Sequence, residues 1–424
     1  MKIDLLIHSA SQLLTLTPTP QRGNSLGDLG IIPNGALAVD NGQILDSGSS
    51  KDLLKIYDPA EIVDAAGKIV LPGFVDPHTH LVWAGDRALE FEQRLDGKSY
   101  MEIMEAGGGI VSTVKQTRAA SVEQLVRETL PRLNQMLNHG TTTVEAKSGY
   151  GLDTETEIKI LEAVLRLDKI HPVDIIPTFL GAHAVPPEYT GRTDAYADLV
   201  ITDMLPAVKT WWLEKASYRP LPFVDVFCEE GAFNLEQTRR ILEAARNLDF
   251  PLKIHADEFK SLGGTALAVS LNAASADHLV ATSENEINQL GKSDTVAVAL
   301  PNTPFGLAAQ AYTPAKQIIK AGGILALASD LNPGTAWSES MQFPIALACR
   351  YMRLTPAQAI AAATINAAAA LKIEETAGSL TPGKQADIII LTVPDYRHLG
   401  YRFGVNLVGS VYKKGQIYTD LPKS

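Results

Sequence analysis

The sequence predicts an α/β protein: a TIM-like (β/α)8 barrel with a small composite β-sandwich domain built from both chain ends. Three observations predict this fold class. The middle of the chain alternates short apolar runs with helical patterns. Both chain ends are rich in strand and turn signals instead. Polar residues, among them five of the nine histidines, follow the apolar runs, where a barrel of this kind carries its chemistry.

The two ends of the chain resemble each other in pattern. GALAVDNGQILDSGS (35–49) has two β-rich runs around Asp-Asn-Gly, which is a hairpin signal. ADIIILTVPD (386–395) and GSVYKKGQIYTD (409–420) also read as strands and turns. Because chain termini often lie close together, we expect one domain from both ends. The predicted organisation is residues 1–70 and 376–424 for the β-sandwich and 71–375 for the barrel.

Eight apolar runs predict the parallel strands of the barrel. A doubly wound sheet is the alternative, but no glycine-rich dinucleotide motif follows an early strand. The runs lie at residues 68–78, 140–148, 173–183, 223–230, 251–258, 275–281, 295–303 and 322–332.

Helical patterns separate these runs. Residues 121–138 open with Ser121 and carry Gln124 three positions later, as in a capping box, and the pattern stops at Gly140. Pro131 inside the span predicts a kink or a break. The same apolar spacing marks residues 154–169 and 234–248.

Composition limits the partners. The chain has 424 residues, 46% of them hydrophobic, which is enough for a large core. A net charge of −11, without a cluster of lysine and arginine, argues against a nucleic-acid partner. Cys228 and Cys349 form no zinc motif and indicate reduced thiols. With no signal peptide and no apolar run that could span a bilayer, we expect a cytoplasmic protein without a membrane partner.

Polar residues follow most of the predicted strands. His78 and His80 stand one residue apart after the first run, so on a strand their imidazoles share one face. Because the strand ends of a barrel share one rim, we expect the polar residues after the other runs to lie nearby. They are Lys147, Tyr150, His183, Glu229, Glu230, His255, Asp257, Glu258, His278 and Asp330.

A metal site is one interpretation of this rim. His78 and His80 alone are as consistent with packing as with metal binding. Three imidazoles and one carboxylate, however, suit a cation such as Zn²⁺ and leave a position for water. The candidate ligand set is His78, His80, His255 and Asp330. The remaining histidines, His8, His139, His171 and His398, read as caps, connectors or parts of the β-rich ends.

Several stretches resemble the amidohydrolase superfamily of metal-dependent hydrolases. They are DPHTHLVWAGDR, GGGIVSTVKQTRAAS, TTTVEAKSGYGLD, TFLGAHAVPPEY, IHADEF, SADHL, SDLNPGT and YRFGVN. Together they span residues 76–406. The His-x-His pair is common to many amidohydrolases and says little about the substrate, whereas EAKSGYGL and SDLNPGT are more specific.

The resemblance implies a barrel enzyme that is a homodimer with one Zn²⁺ or Fe³⁺ ion per chain. The implied reaction is hydrolysis of the cyclic amide 4-imidazolone-5-propanoate to N-formimino-L-glutamate, in histidine degradation. The implied metal ligands are the four residues above, and the implied catalytic residues are Asp330, Glu258 and His278. The implied substrate contacts are Arg87, Tyr100, Tyr150, His183, Glu258, Asn332, Gly334 and Thr335.

Alternatives remain open within this resemblance. A single metal is favoured because the fourth strand, ending FCEEGAF, lacks the lysine that bridges two metals in many relatives, and Lys147 lies on the second strand. A bridge from Glu229 or Glu230 is a further possibility. The substrate could instead be that of an aminohydrolase-like deaminase, and a non-enzymatic scaffold is a third hypothesis. Arg87, which offers a planar fork for a carboxylate, favours the anionic imidazolone.

Overall fold

The computed structural model describes residues 1–98 and 108–420. Its strands fall into two sheets. The strands are β1 (Lys2–Leu14), β2 (Ile31–Asp40), β3 (Gln43–Ser49), β4 (Asp58–Asp64), β5 (Ile69–Pro72), β6 (Phe74–Asp76), β7 (Thr141–Lys147), β8 (Asp174–Ala182), β9 (Phe223–Cys228), β10 (Lys253–Ala256), β11 (Ser275–His278), β12 (Val296–Ala299), β13 (Leu325–Leu327), β14 (Ile388–Leu391), β15 (Val408–Lys413) and β16 (Gln416–Asp420).

Helices cover the barrel strands and connect them. The α-helices are Ser50–Ile56, Ala88–Leu95, Ile110–Ala119, Val122–Asn138, Thr154–Ile170, Thr193–Leu199, Leu205–Lys215, Leu235–Asn247, Gly264–Ser270, Glu284–Leu290, Asn302–Gly306, Ala315–Lys320, Gln342–Tyr351, Pro356–Ala362, Ile365–Ala370 and His398–Tyr401. Short 3-10 turns lie at Gly23–Ser25 and Pro187–Tyr189, and Val200–Met204 is π-helical. In the part of the chain that the structure describes, no helix is both long and apolar enough to cross a membrane.

Strands β6 to β13 form the barrel, in chain order and with parallel pairing. Each predicted apolar run contributes one of them, so the (β/α)8 prediction is confirmed. The two end strands meet beyond their last residues, where Thr79 bridges Leu331 in parallel. There the Asp330 amide donates to the His78 carbonyl at 3.1 Å and the His80 amide to the Leu331 carbonyl at 2.9 Å. We call these contacts the closure seam.

The other sheet takes strands from both ends of the chain, as predicted. Its order is β16-β15-β14-β5-β1-β2-β3, with β4 paired to β1. The predicted hairpin joins β2 to β3, and Asn41 and Gly42 adopt the positive φ angles, 50° and 74°, that such a turn requires.

The first apolar run is shared between the two sheets. Its residues 69–72 form β5 of the terminal sheet, and residues 74–76 form β6 of the barrel. The chain crosses over at Gly73, where a Cβ atom would collide with the Thr142 side chain. Only glycine fits this approach, so one continuous pattern in the sequence serves two sheets.

The helix predicted at residues 121–138 begins at its expected cap. Ser121 Oγ accepts from the Gln124 amide at 3.2 Å, whereas the Gln124 side chain donates to Glu128 and leaves the capping box half formed. The helix continues through Pro131, so the predicted break is wrong. The buried face on both sides of the proline, including Leu125 and Met136, packs against the core and holds the two halves together.

One buried lysine links the two sheets. Lys413 of β15 is 2% exposed, and its Nζ lies 2.6 Å from Asp174 of β8 and 2.5 Å from Asp387. A barrel strand and the terminal sheet therefore share one buried cation.

Candidate metal centre

The four predicted ligands converge at the carboxyl end of the barrel. His78 and His80 follow β6, His255 lies on β10 and Asp330 follows β13. The Nε2 atoms of His80 and His255 are 3.5 Å apart. One Asp330 oxygen lies 3.6 Å from Nε2 of both His78 and His80. All four residues are buried. The three histidines have donor atoms within 4.8 Å of one another, and His78, His278 and Asp330 form a second group of this kind.

The protonation states suit a cation. Burial lowers the pKa of His78 and of His80 well below the ordinary value, so both imidazoles are neutral and carry free lone pairs. Nε2 of His78 is buried and receives a hydrogen bond from none of the described residues. Burial raises the pKa of Asp330 to about 6, so the carboxylate is still mainly ionised at neutral pH, and a cation would favour that form further. The donor set therefore fits a divalent metal ion.

Buried carboxylates lie behind two of the histidines. Asp277 Oδ2 is 2.6 Å from Nδ1 of His78, and Asp225 Oδ2 is 2.8 Å from Nδ1 of His255. A carboxylate at Nδ1 places the proton there and leaves Nε2 free for a metal. Sequence reasoning missed both aspartates, although an acidic residue inside the apolar run FVDVFC was a signal.

Lys147 is buried beside these carboxylates. Its Nζ lies 2.6 Å from Asp225 and 3.0 Å from Glu145. Burial disfavours the ammonium, but these carboxylates outweigh burial and raise the pKa of Lys147 above its ordinary value. The side chain is therefore charged, and it lies beneath the histidines.

The two glutamates after β9 have other partners. Glu229 accepts from the amide of Phe259 at 2.9 Å, and the exposed Glu230 pairs with Lys260. Among the described residues, neither glutamate belongs to a cluster of metal-ligand type. Neither set of contacts supports a bridge between two metals, and Glu229 instead stabilises the loop at Phe259.

His278 and Glu258 lie beside the four ligands. The His278 ring centroid is 5.4 Å from that of His78, and its Nδ1 is 3.6 Å from a Glu258 oxygen. Burial, with the nearby charge of Asp330, raises the pKa of Glu258 well above its ordinary value, which favours the protonated form of this carboxyl. The neighbouring Asp257 instead accepts from Thr265 at 2.5 Å and stabilises a loop.

Three predicted substrate contacts lie on the His80 side of the cluster. The His183 ring stacks on His80 with centroids 4.7 Å apart, and the Tyr150 ring is 5.7 Å from His80. Arg87 lies beside Gly334, and its Nε donates to Thr113 at 2.9 Å. Aromatic, imidazole and guanidinium groups thus lie near one side of the ligands.

The loop after β13 holds its own geometry. Asn332 donates to the Asp330 carbonyl at 2.7 Å, and its Oδ1 accepts from the amides of Gly334 and Thr335 at 2.8 and 2.9 Å. Asn332 therefore shapes the loop that carries two further predicted contacts. The predicted contact Tyr100 lies outside the described residues.

Sequence reasoning also missed Glu157. This buried carboxylate accepts from the amides of Gly149, Gly151 and Leu152 at 2.9, 2.8 and 2.8 Å. It therefore fixes the loop that presents Tyr150. The signal was weak, because an acidic residue in the first turn of a helix usually reads as an exposed end residue.

The other four histidines lie elsewhere, as predicted. His139 and His171 follow the C-terminal ends of two helices, His8 lies in β1 and His398 begins a short helix.

The chain is similar to known proteins both in sequence and in fold. Residues 69–417 match the model of the Amidohydrolase family. Guanine deaminase of E. coli has a TM-score of 0.72 at 15% identity, covering 98% of this chain and 99% of that chain. An adenosine deaminase from Xanthomonas campestris with bound zinc has a TM-score of 0.66 at 20% identity, covering 98% and 93%. At this identity the two structures show the fold alone.

The fold and the site define a metal-dependent hydrolase of the amidohydrolase class. Curated relatives narrow this further. Imidazolonepropionase from Herpetosiphon aurantiacus is 52% identical over 98% of this chain and 97% of its own length. That from Chloroflexus aggregans is 48% identical over 98% of both chains. Within the amidohydrolases, the chain belongs to the imidazolonepropionase family, which confirms the resemblance found in the sequence.

Proposed function

We propose that this protein hydrolyses the cyclic amide C–N bond of 4-imidazolone-5-propanoate to give N-formimino-L-glutamate, in L-histidine degradation. The observation that carries the proposal is the cluster of His78, His80 and His255, with an Asp330 oxygen 3.6 Å from two of these imidazoles. The charge of Arg87 acts on Tyr150 and His183 beside them. Near full-length identity of 52% to an imidazolonepropionase supports the substrate.

One metal ion per chain, Zn²⁺ or Fe³⁺, would be held by these four ligands. A bound cation of this kind lowers the pKa of its water to about 7 and polarises a carbonyl oxygen. The chain supplies the geometry: the Thr303 hydroxyl donates to one Asp330 oxygen and leaves the other facing the histidines.

Proton transfer is assigned to two side chains, and stabilisation of the oxyanion to a third. Asp330, ionised beside a cation, accepts the proton of the attacking water. Glu258, whose protonated form burial favours, donates a proton to the leaving ring nitrogen. His278, a neutral imidazole 3.6 Å from Glu258, stabilises the oxyanion.

Substrate binding is assigned to Arg87 and seven further residues. Arg87 would bind the propanoate with its planar fork. The other proposed contacts are Tyr100, Tyr150, His183, Glu258, Asn332, Gly334 and Thr335.

We propose a homodimer in the cytoplasm, with domain boundaries near residues 70 and 375. Light scattering on the purified protein measures the oligomeric state.

The test of function is incubation with freshly made 4-imidazolone-5-propanoate, following the loss of its ultraviolet absorbance. The expected result is rapid loss with the metal-loaded protein, and little loss with His80→Ala, which removes a ligand. A protein that leaves this substrate unchanged and releases ammonia from a purine or pyrimidine ring would support the deaminase alternative instead.

A further inference from the structure

A buried layer of charged side chains lies beneath the metal ligands. Its members are fully buried and lie on several of the barrel strands. They are Glu145, Lys147, Asp225, Lys253 and Asp277.

Lys147 lies at the centre of this layer. Its ammonium is 2.6 Å from Asp225, 3.0 Å from Glu145 and 3.6 Å from Asp277. Two of these carboxylates are the groups that contact the Nδ1 atoms of ligand histidines. Lys147 therefore touches the histidines' partners but reaches the ligands only through them.

Lys253, the second lysine of the layer, makes different contacts. Lys253 Nζ donates to the Pro77 carbonyl at 2.8 Å, lies 2.9 Å from Glu145 and is 3.8 Å from Asp277. It thus ties the layer to the backbone just before His78. It does not contact Asp225, so within the described layer Lys147 is the cation that holds that carboxylate.

The formal charges of the layer fit this arrangement. Three carboxylates and two ammonium groups leave one negative charge beneath the ligands. Asp330 adds a second, and a divalent cation balances the total. Buried carboxylates persist only when they are paired in this way.

We propose that Lys147 is a positioning residue for the metal site, holding Asp225 and Asp277 against Nδ1 of His255 and His78. In this role its ammonium fixes the two tautomers that direct both Nε2 lone pairs at one point. The inference rests on the proposed metal site and deepens it.

The positioning role of Lys147 and simple electrostatics predict opposite changes in metal affinity when the lysine is removed. A positive charge beneath the site repels a divalent cation, so its removal would tighten metal binding if charge alone mattered. If Lys147 positions the aspartates, its removal weakens binding instead. Loss of such an outer contact typically weakens metal binding by about 10–100-fold.

The experiment measures zinc affinity of the full-length protein after metal removal, by competition with a chromophoric chelator and without substrate. Lys147→Met should bind Zn²⁺ about 10–100-fold more weakly than the unaltered protein. The matched control is Lys413→Met, which also removes a buried lysine from between two carboxylates, but at the junction of the sheets. It should lower thermal stability and leave zinc affinity unchanged.

A second pair of variants covers the case in which Lys147→Met does not fold. Asp225→Asn and the double variant Lys147→Met/Asp225→Asn are compared, because the double change removes one charge of each sign. In the Asp225→Asn background only the longer contact of Lys147 with Asp277, at 3.6 Å, is left to lose. The double variant should therefore bind zinc less than about tenfold more weakly than Asp225→Asn, and a larger further loss would overturn the proposal.

Two other outcomes decide the matter. Tighter or unchanged zinc binding in folded Lys147→Met overturns the positioning role and leaves the proposed reaction intact. An unaltered protein that binds no zinc or iron overturns the metal site itself, together with this inference.

Discussion

At the scale of single residues, a glycine determines where the guanidinium of Arg87 can lie. A Cβ atom on Gly334 would be 2.5 Å from Nη1 of Arg87, too close for both to keep their positions. We predict that Gly334→Ala displaces Arg87 and raises KM about tenfold, a loss of about 1.4 kcal/mol in binding. The propanoate keeps its charge during the reaction, so kcat should change little. Steady-state kinetics on the imidazolone measures both constants.

Two further variants test the prediction for Gly334→Ala. Arg87→Lys should raise KM in the same way, since it keeps the charge and loses the fork. Gly191→Ala, where a Cβ meets nothing within 4 Å, should leave KM unchanged, although its φ of +72° strains alanine and lowers stability. A normal KM with a collapsed kcat in Gly334→Ala would move Arg87 from binding to the chemistry.

His171 makes folding stability depend on pH. Burial lowers its pKa to about 4, and Nδ1 accepts from the Val173 amide at 3.2 Å, which a protonated ring cannot do. Between pH 6.5 and 4 the unfolded chain binds a proton that the folded chain does not. Its stabilising contribution is therefore complete above pH 6.5 and lost as pH falls towards 4.

We expect His171→Gln to melt with a weaker dependence on pH across this window. The measurement is the melting temperature of both proteins at several pH values from 7 to 4.5. Parallel curves would show that acid sensitivity comes from other groups.

The sequence reveals residues at strand ends better than residues inside strands. His78, His80, His255 and Asp330 could be predicted because alternation and the shared rim place them together. Asp225 and Asp277 could not, because each lies inside an apolar run, and although Lys147 was expected near the rim, its pairing with Asp225 was not. Their partners lie on other strands, so only the folded barrel shows that the charges are paired.

At the scale of elements, one carboxylate shapes the loop at residues 148–152. Glu157 accepts three amide hydrogen bonds there, which glutamine cannot match because its NH₂ group would face N–H donors. We predict that Glu157→Gln lowers kcat/KM at least tenfold by displacing Tyr150, while metal content stays the same. Kinetics and elemental analysis on the same preparation measure the two effects.

The matched control is Glu155→Gln, an exposed residue in the first turn of the same helix. It should change neither quantity. Loss of metal in Glu157→Gln would show that the loop supports the ligands and not only the substrate.

Packing explains the element boundaries that the sequence patterns did not predict. The split of the first run at Gly73 depends on contact with Thr142 of the next strand. The continuity of helix Val122–Asn138 through Pro131 depends on its buried face. In both cases a local pattern was overridden by tertiary contacts, which one run of sequence does not contain.

At the scale of the whole molecule, the metal site coincides with the closure seam. His78 and His80 lie on one side of the seam and Asp330 on the other, and backbone hydrogen bonds of 2.9 and 3.1 Å join the two sides. Asp76 adds a side-chain bond to the Ser329 amide at 3.0 Å. A cation bound by these ligands would therefore also join the first and last barrel strands.

The last prediction follows from this coincidence. A ligand that binds only the folded protein stabilises it, by about 2.7 kcal/mol at a concentration 100 times its dissociation constant. Because the proposed metal would span the seam, its removal should act there first. After chelation, amide hydrogen exchange should become about 10–100-fold faster in peptides covering residues 76–84 and 326–334, following the local loss of stability. Peptides from the β2–β3 hairpin (31–49) should exchange as before, because both strands belong to the terminal sheet. Hydrogen-exchange mass spectrometry before and after chelation, with zinc added back, measures the effect. Equal acceleration in all peptides would mean that the metal holds the whole fold together, and no acceleration at the seam would show that the barrel closes without it.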